Sequence, residues 1–169
     1  MTGILKKFAI AILPAFLVFV LDQASKVLIA DIGKLELGYR NDLAPNFFAF
    51  VHWQNTGAAW GMGEGHPVLL GVVSLVVLVL MVLFFRTLTE GHRLQEFAFG
   101  LVLGGVAGNL LDRFVRGAVV DFLYFYHDRF SWPAFNVADS GITVGVTLYV
   151  TSVLWHSWKA AKAGQEPAK

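Results

Sequence analysis

Cysteine is missing altogether from this 169-residue chain, and charge is scarce: charged residues make up 15% of the sequence and hydrophobic ones 56%. Without cysteine there is no disulfide-stapled scaffold, no thiol nucleophile and no thiolate metal site. An ordinary soluble domain carries about 25% charged residues. The shortfall, with a formal net charge of only +1, argues against a soluble disordered chain and a nucleic-acid binder that works through bulk charge. The histidines at 52, 66, 92, 127 and 156 include no pair four apart, and His-Glu-x-x-His is absent, so the zinc-protease helix is not encoded. Ser140 stands in Ala-Asp-Ser-Gly rather than in a Gly-x-Ser-x-Gly elbow, and there is no phosphate loop of P-loop form.

What the chain does have is long uncharged runs. Fourteen uncharged residues separate Lys7 from Asp22, 21 separate Glu64 from Arg86, 15 separate Glu96 from Asp112, and 19 run from Ser140 to Trp158. A helix of about 20 apolar residues crosses the hydrocarbon of a bilayer. The runs predict an α-helical integral membrane protein with four spans, at about 8–29, 66–86, 94–113 and 138–158. The first run, behind Lys6 and Lys7, has the outline of a cleavable leader. No small-x-small site follows it, and Asp22 and Lys26 would fall awkwardly there, so it is read as a permanent helix.

Orientation follows from Lys and Arg, which stay cytoplasmic when they flank a span. Residues 1–7, 86–93 and 159–169 carry seven of them in 26 positions; residues 31–64 and 114–136 carry four in 57. Both termini are therefore expected in the cytoplasm, with the two longer connections, 31–64 and 114–136, outside. Phe48, Phe50 and His52 alternate with Ala49, Val51 and Trp53 before an Asn55-Thr56-Gly57 turn, and Val119 to Phe135 is a second β-prone, aromatic run broken at His127-Asp128-Arg129. Together they suggest a small β-cradle on the outer face. The whole of 1–169 reads as one membrane domain without repeats, and 163–169 as a disordered tail.

Chemistry is sought among polar residues at the outer helix ends, where an ionisable group is costly unless paired, hydrated or functional. Asp22 and Lys26, four apart, share a helix face and read most simply as a self-neutralising pair. Gln54-Asn55-Thr56-Gly57-Ala58-Ala59 reads equally as a turn or as an amide that binds a carbonyl. Gly104 and Gly108 form a small-xxx-small pair for helix packing. Asn109, Asp112 and Arg113 share one face, either as a capping ion pair or as a polar wall where Arg113 holds a carbonyl-rich or anionic ligand. Asp121 stands alone in an apolar run, and Asp139 opens the fourth span with Asn136 one turn before it. Residue chemistry alone favours an exposed strand residue and a helix-start residue. The sharper alternative is a carboxyl pair sharing a proton, able to serve as acid and base.

The ordered set Asp22-Gln23-x-x-Lys26, Gln54 to Ala59, Gly104-Gly105-x-x-Gly108-Asn109-x-x-Asp112-Arg113, Val120-Asp121-Phe122 and Phe135-Asn136-x-Ala138-Asp139-Ser140 resembles lipoprotein signal peptidase, also called signal peptidase II. The resemblance runs from about Phe16 to Gly145. It implies an intramembrane aspartyl endopeptidase of the bacterial cytoplasmic membrane that removes the signal peptide from diacylglyceryl-modified prolipoproteins, cutting before the lipidated Cys. By the same resemblance Asp121 and Asp139 are the catalytic pair, Asn55, Gly108, Asn109, Arg113 and Asn136 bind or position substrate, and Asp22, Lys26 and Asp112 support the site. It implies no metal or organic cofactor, inhibition by globomycin-type cyclic peptides, a monomer in the lipid bilayer, and no nucleic-acid partner. The reading from another class is a small proton-coupled transporter using the same carboxylates, which inverted repeats would favour; none is found.

Overall fold

The computed structural model of the chain describes residues 2–32, 36–58 and 62–163. Helix α1 covers Thr2–Val27 and continues into a π-helical turn, Leu28–Ile32; α2 covers Pro67–Thr89, α3 Arg93–Val115 and α4 Val137–Ala163. All four helices are long and apolar enough to cross a membrane. Twenty-three helical residues span about 34 Å at 1.5 Å each, sufficient for the hydrocarbon layer. Helix α4 runs through Ala163, where a disordered tail was expected to begin; the rest of that expected tail, 164–169, lies outside the described residues.

Helix α3 is the centre of the bundle and packs against α1, α2 and α4. Lipid tails are as apolar as leucine, so helices in a bilayer associate through close packing rather than through hydrophobic exclusion. The close packing is written in glycine. A Cβ on Gly104 would collide with the Ala15 carbonyl of α1, and one on Gly105 with the Ala138 carbonyl of α4. Helix α2 carries its apolar side chains outward, with Val68, Leu69, Val72, Val76 and Leu83 exposed, as lipid-facing residues are.

A four-stranded antiparallel sheet in the order β1-β2-β3-β4 sits at the end of the bundle where α1 and α3 finish and α4 begins. Its strands are β1 Arg40–Ala44, β2 Phe48–Asn55, β3 Val119–His127 and β4 Phe130–Ser131. The two aromatic runs supply β2 and β3, and the break at His127-Asp128-Arg129 is the turn into β4, with Asp128 at φ 48°. Strand β1 carries no alternation in Arg-Asn-Asp-Leu-Ala and is not signalled by pattern; pairing to β2 creates it. Between β2 and β3 the register passes from Phe50↔Leu123 to Trp53↔Asp121, leaving one extra residue on β2. This bulge breaks the period of two, and Val51 and His52 are consequently both buried.

Candidate active site

Two carboxylates reach the junction of sheet and bundle by different local routes. Asp139 occupies the first turn of α4, whose start is a reciprocal cap: the Asn136 side-chain oxygen accepts the Asp139 amide at 2.9 Å, and the Asp139 carboxylate accepts the Asn136 amide at 3.2 Å. Such a box satisfies donors that a helix start otherwise leaves open. Asp121 lies in β3 and is 3% exposed, so it is a buried group and not the exposed strand residue that pattern alone favours.

Asn136 joins them. Its amide nitrogen donates to Asp121 Oδ1 at 2.8 Å while its oxygen holds the Asp139 amide. Asn55 Nδ2 donates to the other Asp121 oxygen at 3.1 Å, and Asn109 Nδ2 donates to Asp139 Oδ1 at 2.8 Å. All four carboxylate oxygens therefore accept an N–H from an amide. Among the described residues neither carboxylate is in an ion pair. Burial, then the neighbouring Asp139 charge, pushes the Asp121 carboxyl up to about 7, against the opposing pull of the Asn55 and Asn136 hydrogen bonds. A carboxyl at that value exchanges protons near neutral pH.

The remaining carboxylates of the motifs pair with cations instead. Lys26 Nζ lies 2.8 Å from Asp22 and 2.7 Å from Asp112, with all three side chains fully buried. The expected Asp22–Lys26 pair is thus present but is not self-contained. Asp112 also meets Arg116 at 2.5 Å, so its partners are Lys26 and Arg116, and a capping ion pair with Arg113 does not form. Arg113 turns the other way, donating to the Gly57 carbonyl at 3.0 Å and to the Asn109 carbonyl at 3.3 Å. Its buried Nε has no hydrogen-bond partner among the described residues. Gly108 stands where a Cβ would come within 2.5 Å of an Asp22 carboxylate oxygen, so its absence of side chain admits that carboxylate.

A cavity of about 1080 Å³ opens beside the pair. Asn55, Asn109, Arg113 and Asp139 form its polar wall; Val106, Ile142 and Val144 extend it along the helices, and Trp132 to Phe135 cover it from the loop before α4. Asp121 is set behind that wall, next to Asn55 and Asn136. In the Asn55 turn, the Gly57 amide donates to Asn55 Oδ1 at 2.9 Å, which leaves the Asn55 nitrogen to face Asp121. Ala59, the last residue of that motif, lies outside the described residues.

The family model described as signal peptidase (SPase) II matches residues 14–155. The chain belongs to the signal peptidase II family. Signal peptidase II is an aspartic peptidase family, and the match reaches into all four helices and covers the sheet. The lipoprotein signal peptidase of Desulforapulum autotrophicum is 40% identical over 146 residues, covering 83% of this chain and 88% of that protein. That of Bacillus subtilis is 36% identical over 148 residues, covering 88% and 95%. A bacterial membrane enzyme solved by the in meso method superposes with a TM-score of 0.78 at 30% identity, over 94% of each chain. Nothing in these matches supports the transporter reading.

Two contributors to this site lie outside the expected site residues, although Gln23 stands within the first motif. Gln23 donates to Asp22 at 3.0 Å, to the Gly108 carbonyl at 3.2 Å and to Asp112 at 3.2 Å, stitching α1 to α3. Arg116 is legible only as a cation four residues after Asp112, the spacing that places two side chains on one helix face.

Proposed function

We propose that Asp121 and Asp139 are the catalytic pair of an intramembrane endopeptidase that cuts diacylglyceryl-modified prolipoproteins before the lipidated Cys. The observation that carries this reading is the contrast between the two sets of buried carboxylates. Asp22 and Asp112 are paired with Lys26 and Arg116, whereas among the described residues Asp139 at the cavity wall and Asp121 just behind it meet only amides. Carboxylates held by neutral donors remain free to take and give protons.

Asp139, which lines the cavity, takes a proton from a water whose oxygen bonds to the scissile carbonyl carbon. The displaced π pair goes to the carbonyl oxygen, which takes the proton of Asp121. When the resulting diol collapses, the C–N bond breaks and the nitrogen takes the proton from Asp139. A diol hydroxyl returns its proton to Asp121, so both carboxyls end as they began.

Arg113 and Asn55, on the same wall, supply donors for peptide or ester carbonyls of the diacylated segment. The bundle sits in the bacterial cytoplasmic membrane as a monomer, with the Lys- and Arg-rich end and both termini cytoplasmic and the sheet on the outer leaflet. Globomycin-type cyclic peptides occupy the same cavity. The deciding assay incubates purified protein with a diacylated prolipoprotein and follows loss of the signal peptide by gel shift. Asp121→Asn and Asp139→Asn should each nearly abolish cleavage in folded protein, because an amide cannot exchange the proton. Wild-type turnover by folded Asp139→Asn would refute the aspartyl pair.

A further inference from the structure

We propose that Lys26 is the positioning residue for both catalytic carboxyls, acting from helix α1 through Asp22, Asp112 and Asn109. This rests on the assignment of Asp121 and Asp139 as the reacting pair. Lys26 touches neither of them by hydrogen bond or ion pair. Its ammonium group has three hydrogens and three acceptors: Asp22 Oδ2 at 2.8 Å, Asp112 Oδ2 at 2.7 Å and Asn109 Oδ1 at 2.9 Å.

Each of those acceptors leads to the pair. Asp22 Oδ1 accepts the backbone amide of Ala138 at 2.9 Å, and Ala138 immediately precedes Asp139. Asp112 Oδ2 accepts the backbone amide of Val120 at 3.3 Å, and Val120 immediately precedes Asp121. The segments bearing the two carboxyls, a helix start and a strand, are thereby pegged to one buried cation. The third acceptor settles an orientation. An ammonium only donates, so it selects the oxygen of the Asn109 amide and leaves the nitrogen to face Asp139, where it donates at 2.8 Å. Asn136 Nδ2 donates to the same oxygen at 3.3 Å, so the Lys26 cation and one amide together hold the Asn109 side chain in this orientation.

Stability alone is a poor account of such a cluster, since replacing a buried ion pair by apolar packing is often neutral or stabilising. The arrangement is instead neutral in total and directional in detail: Asp22 and Lys26 from α1, Asp112 and Arg116 from α3. On the side toward the cavity the ionisable groups are Arg113 of α3 and Asp139 of α4, with Asp121 of β3 just behind them. The positive charge of Lys26 also acts directly on the pair, favouring the ionised form of Asp121.

The test is the pH profile of kcat/KM for full-length enzyme on a diacylated prolipoprotein, measured for wild type, Lys26→Met and Asp112→Asn. Because stability itself varies with pH, each rate is normalised to the folded fraction measured at the same pH, so that limb positions separate positioning from folding. Lys26→Met should lower kcat/KM by at least about tenfold and move the limbs to higher pH by about one unit, because a neighbouring cation favours the charged carboxylate. Asp112→Asn keeps an acceptor for Val120 but removes a negative charge, and should move the limbs to lower pH. Opposite shifts support the inference, and limbs at wild-type pH in both variants overturn it whatever the rates. Should Lys26→Met not fold, Asp112→Asn decides alone: a shift to lower pH supports the inference and an unmoved profile overturns it. Asp121→Asn and Asp139→Asn, run alongside, show separately whether the underlying pair assignment stands.

Discussion

Asn136 and Asp139 cap one another, and the same Asn136 side chain donates to Asp121 at 2.8 Å. One amide thus starts helix α4 and sets the spacing of the two carboxyls. Asn136→Ala removes both functions. Loss of the cap should destabilise the protein by about 1 kcal/mol, a modest fraction of a typical domain's stability. The loss of kcat/KM should be much larger, at least about a hundredfold, since misplacement by about 1 Å can cost that much. Thermal unfolding in detergent and cleavage kinetics on one preparation check the pair of effects. A rate loss no greater than the loss of folded protein would contradict it.

The Asp121 carboxyl, raised from 3.8 to about 7, makes stability depend on pH with a definite sign. The folded state binds that proton more tightly than the unfolded state, so the stabilisation is complete below about pH 4 and is lost as pH rises through about 7. The unfolding midpoint of the wild-type protein should accordingly fall across that interval. In Asp121→Asn this contribution vanishes, and its midpoint should be flatter with pH. Parallel curves for the two proteins would show that Asp121 does not titrate there.

Gly108 faces the Asp22 carboxylate, which is itself held by Lys26, Gln23 and the Ala138 amide. A side chain so tethered cannot step aside for a methyl group. Gly108→Ala should therefore displace Asp22 and reduce turnover at least about tenfold, since catalytic geometry tolerates little displacement. Ala substituted at exposed Gly91, on the turn between α2 and α3, should leave turnover unchanged even though its φ of 78° strains the turn. Equal turnover for Gly108→Ala and wild type would rule out this close approach as a constraint on the site.

Arg113 reaches the Gly57 carbonyl and the cavity together, and its Nε has no partner among the described residues. Hydrogen bonds to charged groups contribute about 1.5 to 3 kcal/mol net, and each 1.4 kcal/mol is about tenfold in an equilibrium. Arg113→Ala should lower kcat/KM for diacylated prolipoprotein by at least about tenfold. Arg113→Lys should recover only part of it, because a lysine lacks the fixed fork of donors. Wild-type enzyme should also cut the diacylated substrate far faster than the same chain without lipid. Equal rates on the two substrates, compared in one detergent, would mean that the lipid is not read.

By itself the sequence determined what local rules govern. Crossing a bilayer requires an uninterrupted apolar run, and the four runs stand in the chain as four helices. The β-prone aromatic stretches stand as β2 and β3, and Asn136 three residues before Asp139 already has the spacing of a helix cap. Strand β1 is not legible in the sequence because its order comes from its neighbour, and the role of Arg116 is not because an i,i+4 spacing offers a pair without choosing it. Tertiary structure alone decided which acids meet cations and which meet only amides. A carboxylate's chemistry depends on whether the donors around it are charged or neutral, and here those donors arrive from far along the chain. Lys26 comes from α1 to Asp112 in α3, and Asn55 comes from β2 to Asp121 in β3. Four aspartates with similar membrane-edge addresses in the sequence thus become two carboxylates held by cations and two held by amides only when the helices and the sheet close around them.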